Sequence, residues 1–301
     1  MDETSERKRI DSDFDSDAEY YESTLKNWLK KNTINWSETY QYWGANRPRH
    51  SACKLIKTII LSVYEFHTDR RKKIHGSLKC EENYLLHVDP EGNFKVKLVH
   101  KVVDGDISTK TKKVDIEDML SIIFDKILAG VSRLRYAQDL KCLHALIKNC
   151  DGSYSDWSYI IKHPSLWHYE NRVNFISRLH RLLKNDRVGC CIRSKLEDMN
   201  ESLGDWRELI PTTLHNFLYR DDVGMCPKYG KTASEHLRFF RNFLSHFGNY
   251  YCDLLEERHE DEKYAEFLLS EIPTNFVVKL FEMVMADESL RRKFFHIHEL
   301  V

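Results

Sequence analysis

Glycine and proline are scarce in this chain, 11 and 6 among 301 residues. Few tight turns are therefore available, which disfavours a fold of many short strands. None of the eight cysteines belongs to a Cys-x-x-Cys pair, and Cys190 and Cys191 are adjacent, so neither a zinc site nor a dithiol redox motif is written in the spacing. His163/His168 and His296/His298 likewise lack partner ligands at zinc-site spacing, and no metal or other cofactor is expected. No run approaches the ~18 apolar residues of a membrane span, and the start has no apolar core like that of a signal peptide. The expectation is a cytoplasmic protein with reduced thiols and no membrane contact of its own. Net charge is also lacking: the formal value is −1, which argues against general polyanion binding.

The charge is nevertheless uneven. Residues 1–20 hold eight acids and three bases, a net of −5, so the rest of the chain carries +4 and includes the clusters Arg70–Lys73 and Arg291–Lys293. With little apolar content, residues 1–20 read as a disordered acidic tail. Beyond it, Leu25, Trp28 and Leu29 sit at helical spacing, and residues 52–67 read as a long buried helix. Two β-like runs, 84–88 and 94–99, flank Asp89-Pro90-Glu91-Gly92-Asn93, whose chemistry predicts a hairpin turn. A further helix is expected over 115–128, stopped at Gly130. After Asp156 helices are predicted over 170–183, 194–203, 210–218, 233–257, 262–270 and 275–285. The chain is thus expected to be mainly α.

Ile74-His75-Gly76-Ser77-Leu78-Lys79-Cys80-Glu81-Glu82-Asn83, between a long helix and a hairpin, resembles the catalytic loop of a protein-kinase C-lobe. The departures are as informative as the match. Gly76 occupies the Arg position, and Ser77 stands where a carboxylate would accept the substrate proton. Glu82, or Asn83 after a one-residue insertion, stands at the magnesium-binding Asn. The Asp-Phe-Gly position falls near His100-Lys101-Val102, which offers no carboxylate, and Val114-Asp115-Ile116 follows so soon that the activation segment is nearly gone. Upstream of Ser23 no Gly-rich loop or strand lysine is read, so these residues are expected to survive as scaffold without kinase activity.

Residues 163–301 carry a second resemblance. His163-Pro164-Ser165-Leu166-Trp167, Gly204-Asp205-Trp206-Arg207 and Leu237-Arg238-Phe239-Phe240-Arg241-Asn242-Phe243-Leu244-Ser245-His246 follow in order. They resemble the junction, the Asp-Trp-Arg segment and the Arg-Asn-x-x-x-His helix of the kinase-extension-nuclease (KEN) family. That family includes the unfolded-protein-response sensor ribonucleases and ribonuclease L. The organisation implied is an acidic tail (1–20), a degenerate kinase C-lobe-like domain with one small β-hairpin (21–162) and an all-helical KEN domain (163–301).

Read without the family, Leu237, Phe240, Leu244, Phe247, Tyr251 and Leu255 form one apolar stripe. Asn242 and His246, at i and i+4, lie on another face with Arg241 at its edge. An amide, an imidazole and a guanidinium on one turn make a phosphate site. The resemblance implies roles: His246 the general acid, Arg241 and Asn242 the holders of the scissile phosphate, and Tyr229 the base, activated by Lys228 or Lys231. The basic residue often found after Arg-Asn in the family is Phe243 here. His236 and His298 are expected at the surface, and the aromatic pairs Phe239–Phe240, Tyr250–Tyr251 and Phe294–Phe295 in the core.

The function implied is a metal-independent endoribonuclease. It would cut a stem-loop or single-stranded RNA loop to 2′,3′-cyclic phosphate and 5′-hydroxyl ends, in RNA processing or decay linked to the unfolded protein response. It would pair with itself or a related sensor ribonuclease, and a partner could bring it to the endoplasmic reticulum surface. Two rivals are a decoy that regulates a full-length sensor by dimerising with it, and a stress-pathway scaffold whose acidic tail recruits partners. The intact Arg241, Asn242 and His246 favour the enzyme; the lack of an N-lobe favours the decoy.

Overall fold

The computed structural model describes residues 21–32, 37–39, 46–48, 50–68, 75–99, 109–128, 138–210, 214–218, 228–251, 265–266, 268–269, 272 and 275–295. The acidic tail, Arg70–Lys73, His100-Lys101-Val102, Leu255 and His298 lie outside the described residues, as do most of the helix expected over 262–270 and the side chains of Tyr250 and Tyr251. The chain is mainly helical with a small antiparallel sheet. It divides into two compact units. The first comprises Met1–Glu38, Pro48–Val131 and His144–Ile161, and the second Thr39–Arg47, Ser132–Leu143 and Lys162–Val301. No helix of the described residues is long and apolar enough to cross a membrane.

In the first unit a three-stranded sheet runs in the order β1 (Ser23–Thr24), β2 (Tyr84–Val88), β3 (Phe94–Leu98). The hairpin has the register Tyr84↔Leu98 to Val88↔Phe94. Its turn is fixed where the sequence suggested: Asp89 Oδ1 accepts from Asn93 N at 2.7 Å, and Gly92 takes φ +76. β1 was not anticipated, because two residues are too few to show alternation. Thr24 then caps α1 (Leu25–Lys31), its Oγ1 accepting from Asn27 N.

Helix α2 (His50–Thr68) lies against β3. Leu55, Ile56, Ile59, Ile60 and Val63 are fully buried, as their spacing requires. Ser62 Oγ donates to the carbonyls of Thr58 and Val96, so a helical hydroxyl also satisfies the outer strand. Helix α3 (Thr109–Ser121) starts a turn and a half before the expected Asp115, because Thr109–Lys113 is polar and carries no periodicity. It continues as a π-helical turn over Ile122–Ile127.

Asp115 is buried and holds the loop that precedes the hairpin. Its Oδ2 accepts from His75 N at 3.0 Å and contacts His67 Nε2 at 3.1 Å, and its Oδ1 accepts from Gly76 N at 2.9 Å. Burial pushes the carboxyl up, but the His67 contact and the two amides outweigh it and draw it below its ordinary range. Gly76 has φ +67, which explains glycine there. Asn83 Nδ2 donates to Ser77 O, and Tyr84 OH to Leu78 O. Glu82 pairs with Lys26 and Glu81 with Lys126.

Helix α4 (Gln138–Asn149) contributes Gln138–Leu143 to the second unit and the remainder to the first; α5 (Tyr154–Ile161) belongs to the first. The second unit's other helices are α6 (Tyr169–Leu182), α7 (Asp186–Leu203), α8 (His215–Leu218), α9 (Ala233–Tyr251), α10 (Phe276–Ala286) and α11 (Glu288–Phe294). α7 begins eight residues before the expected Ser194, because Asn185 Oδ1 caps it by accepting from Arg187 N and Val188 N. α9 packs on α6 and α7. Buried among these elements, Arg172 Nη1 reaches Asp139 Oδ2 and Pro164 O, both at 2.7 Å, while Nε lies 2.5 Å from Glu266. Burial opposes the guanidinium's charge; Glu266 and Asp139 overcome that and raise its pKa above the ordinary value.

Candidate functional site

The Asp205-Trp206-Arg207 segment is a short 3-10 turn (Trp206–Leu209) capped by Asp205, which accepts from Arg207 N. Trp206 points inward and is fully buried, stacked 4.2 Å from the His236 ring. Its neighbours face the other way. Arg207 grips Asp205 through Nε–Oδ1 at 2.8 Å and Nη2–Oδ2 at 2.7 Å, and Lys231 Nζ adds a contact at 2.9 Å. Hydrogen bonds from Arg207 and Lys231 hold the Asp205 carboxyl well below the usual carboxylate range. With Asp205 fixing its fork, Arg207 Nη1 donates to Tyr229 O at 3.3 Å.

Tyr229 is thereby fastened to α9. Its ring meets Phe239 edge-on at 5.3 Å, and its hydroxyl accepts from Asn242 Nδ2 at 3.3 Å. Asn242 Oδ1 accepts in turn from Arg241 Nη1 at 3.0 Å. This orients the amide, one end accepting from a cation and the other donating to a phenol. Three of the four expected site residues are therefore brought into one hydrogen-bonded chain, although Tyr229 lies 13 positions before Asn242. His246 is one turn further along α9 and exposed, and no hydrogen bond holds its ring to another described residue. Arg241 and Asn242 are half-buried.

The stripe on α9 is buried at Leu237, Phe240, Leu244 and Phe247, and the face is broader than the stripe. Phe239 and Phe243 are also fully buried, stacked 5.9 Å apart, and Phe217 meets Phe243 at 5.0 Å. Phe243 thus belongs to the core, which accounts for the absence of a basic residue after Asn242. Phe239 and Phe240 lie in the core as expected, as does Phe294, while Phe295 is half-buried.

One expectation is corrected. His236 is not a surface residue: it is fully buried between Trp206 and Phe276, whose ring is 4.0 Å away, and neither ring nitrogen reaches a hydrogen-bond partner. Burial drives its pKa far below the ordinary value, so it stays neutral. Of the two lysines expected beside Tyr229, Lys231 contacts Asp205, and Arg238 adds a cation over the Tyr229 ring, 4.9 Å from its centroid. His180 of α6 was missed. Burial, then Arg241, Lys184 and Arg238, lowers its pKa and keeps it neutral beside the cations. It lies 61 positions before Arg241 in no recognisable motif, so only the packing of α6 on α9 could reveal it. His163 is structural: it is buried, bonded to Ser165 Oγ at 2.9 Å, and burial pushes its pKa down to about 4.

No family model and no curated protein matches this chain.

Proposed function

We propose that this chain is an endoribonuclease of the KEN type, with its kinase-like first half retained as a scaffold without phosphoryl-transfer activity. The supporting observation is the hydrogen-bonded chain Tyr229–Asn242–Arg241 beside an exposed His246. RNA carries its own nucleophile. A base takes the 2′-hydroxyl proton, an acid protonates the departing 5′-oxygen, and donors stabilise the crowded phosphorane. Tyr229 is the base and His246 the acid, while Arg241 and Asn242 bind the phosphate between them. The products are a 2′,3′-cyclic phosphate and a 5′-hydroxyl, formed without metal. The substrate is a stem-loop or single-stranded loop in RNA processing or decay linked to the unfolded protein response. The working species is a pair, either two copies of this chain or this chain with a related sensor ribonuclease.

Kinase activity is expected to be absent because Ser77 offers no carboxylate to a substrate hydroxyl and its loop is committed to Asp115 and Asn83. The experiment is incubation of the purified protein with a stem-loop RNA in EDTA, followed by mapping of the ends. Cyclic-phosphate ends are expected, with His246→Ala lowering the rate on the order of 10²–10⁴ at unchanged helical content. Cleavage that needs magnesium, that survives a 2′-deoxy substitution at the scissile nucleotide, or that His246→Ala leaves untouched would defeat the reading.

A further inference from the structure

Arg238 lies on α9 one turn before Asn242 and has no assigned role in the chemistry above. Its guanidinium covers the Tyr229 ring, its Nη2 donates to Lys228 O at 2.9 Å, and it pairs with Glu235 Oε2 at 3.2 Å. The same Glu235 oxygen accepts from Gly230 N at 3.2 Å. The backbone on both sides of Tyr229 is thus tied to one turn of α9, and the tyrosine hydroxyl is delivered to Asn242.

A neutral donor could bond Lys228 O equally well. A cation on the ring face does something further: its attraction to the π-system grows as the phenolic oxygen gains negative charge. The hydrogen bond from Asn242 Nδ2 acts in the same direction, since it too favours the charged form. The nearby carboxylates cancel only part of this. Asp205 is matched by Arg207 and Lys231; Glu235, paired with Arg238 at 3.2 Å, offsets part of that guanidinium's charge, and the guanidinium is the group that lies over the ring. From the adjoining packed helix comes His180, which is held neutral. Arg241 adds a cation on the Asn242 side, and Lys228 one within the loop.

We propose that Arg238 is the positioning residue for Tyr229, holding its hydroxyl on Asn242 and stabilising the phenolate that receives the 2′-hydroxyl proton. In that step the 2′-oxygen bonds to phosphorus and its proton passes to the Tyr229 oxygen. The bond from phosphorus to the 5′-oxygen breaks, and that oxygen takes a proton from the His246 imidazolium. The proposal rests on the ribonuclease reading, so its test has one arm without RNA.

In that arm, carbon NMR of tyrosine-labelled protein follows ionisation with pH, the Tyr229 signal being identified by its loss in Tyr229→Phe. Arg238→Met keeps an apolar stem on the ring without the charge, and Arg238→Lys keeps the charge. Tyr229 is expected to ionise about half a pH unit higher in Arg238→Met and close to wild type in Arg238→Lys. In the second arm, RNA cleavage is measured against pH. Arg238→Met is expected to lose about two- to fivefold in kcat at neutral pH, with the limb of the profile that reports Tyr229 displaced by about half a pH unit and KM little changed. Arg238→Lys should recover most of that loss. An unmoved Tyr229 ionisation in Arg238→Met overturns the proposal whether or not RNA is cut. So does an equal loss in both variants with the pH profile unshifted, which would mark a merely structural contact. A shifted Tyr229 in a wild-type protein that cuts no RNA defeats the ribonuclease reading and the proton-transfer part with it.

Discussion

His236 shows what a single buried side chain costs. Its ring fills the space between Trp206 and Phe276, yet a nitrogen-bound hydrogen is buried without an acceptor. His236→Phe keeps a ring between the two aromatics and removes that unpaired donor, so a gain of about 1–2 kcal/mol is expected in urea unfolding at neutral pH. The same substitution should change the acid response. His163 and His236 both have depressed folded-state values, so below about pH 6.5 the unfolded chain binds the extra protons and stability falls with pH. The window runs from about 6.5 down to about 4 for His163, at roughly 1.4 kcal/mol per pH unit for each histidine. His236→Phe should make the slope shallower, and an unchanged slope would show that His236 does not titrate on unfolding. The burial was legible in part, since Ala233, Phe239 and Phe240 flank His236 at helical spacing; the rings that enclose it, Trp206 and Phe276, come from distant parts of the chain.

Three helices with apolar periodicity were legible: residues 52–67 became α2, 170–183 became α6 and 275–285 became α10, each within two residues. The turn at residues 89–93 was legible through its Pro, Gly and Asn chemistry. What escaped were elements of local, polar specification, such as the cap-driven start of α7 and the Asp287-capped α11, where Leu290 N donates to Asp287 Oδ1. Helix α4 also escaped, although its buried Leu140, Leu143 and Ile147 recur at helical spacing. At the site, Arg241, Asn242 and His246 could be read together because one helix carries them. Arg238, His180 and the Arg207–Asp205 clamp could not, since each acts across a loop or between helices. Helix α6 is exposed to a single change through Arg172. Arg172→Met should destabilise the second unit by about 3–5 kcal/mol, because it breaks the buried ion pairs with Asp139 and Glu266 by removing one partner. Replacing all three by apolar residues of similar volume should recover most of that loss. Chemical denaturation of the single and triple variants compares the two cases.

For the whole molecule, the proposed pairing implies a dependence on concentration. The specific cleavage rate should rise with protein concentration and level off as sedimentation shows the pair replacing the monomer; a constant specific rate from a persistent monomer would exclude it. Interfaces of standard size, about 1,600 Å² in total, range from micromolar to picomolar affinity, so the midpoint itself is a measurement. If the acidic residues 1–20 repel one another across the pair, added salt should strengthen the association and removal of the tail should abolish that salt effect.

The two units are interleaved along the chain, and this bears on any attempt to dissect the protein. The sequence suggests cutting at 162/163, and the chain does change unit between Ile161 and Lys162. Asp139, however, is upstream of that cut, while the Arg172 it neutralises is downstream. A fragment of residues 163–301 would therefore fold around a buried guanidinium that has lost one of its two carboxylates. Weak activity or poor solubility in such a fragment would report the severed ion pair before it reported anything about catalysis. An excised second unit has to begin ahead of Gln138 to keep that ion pair whole.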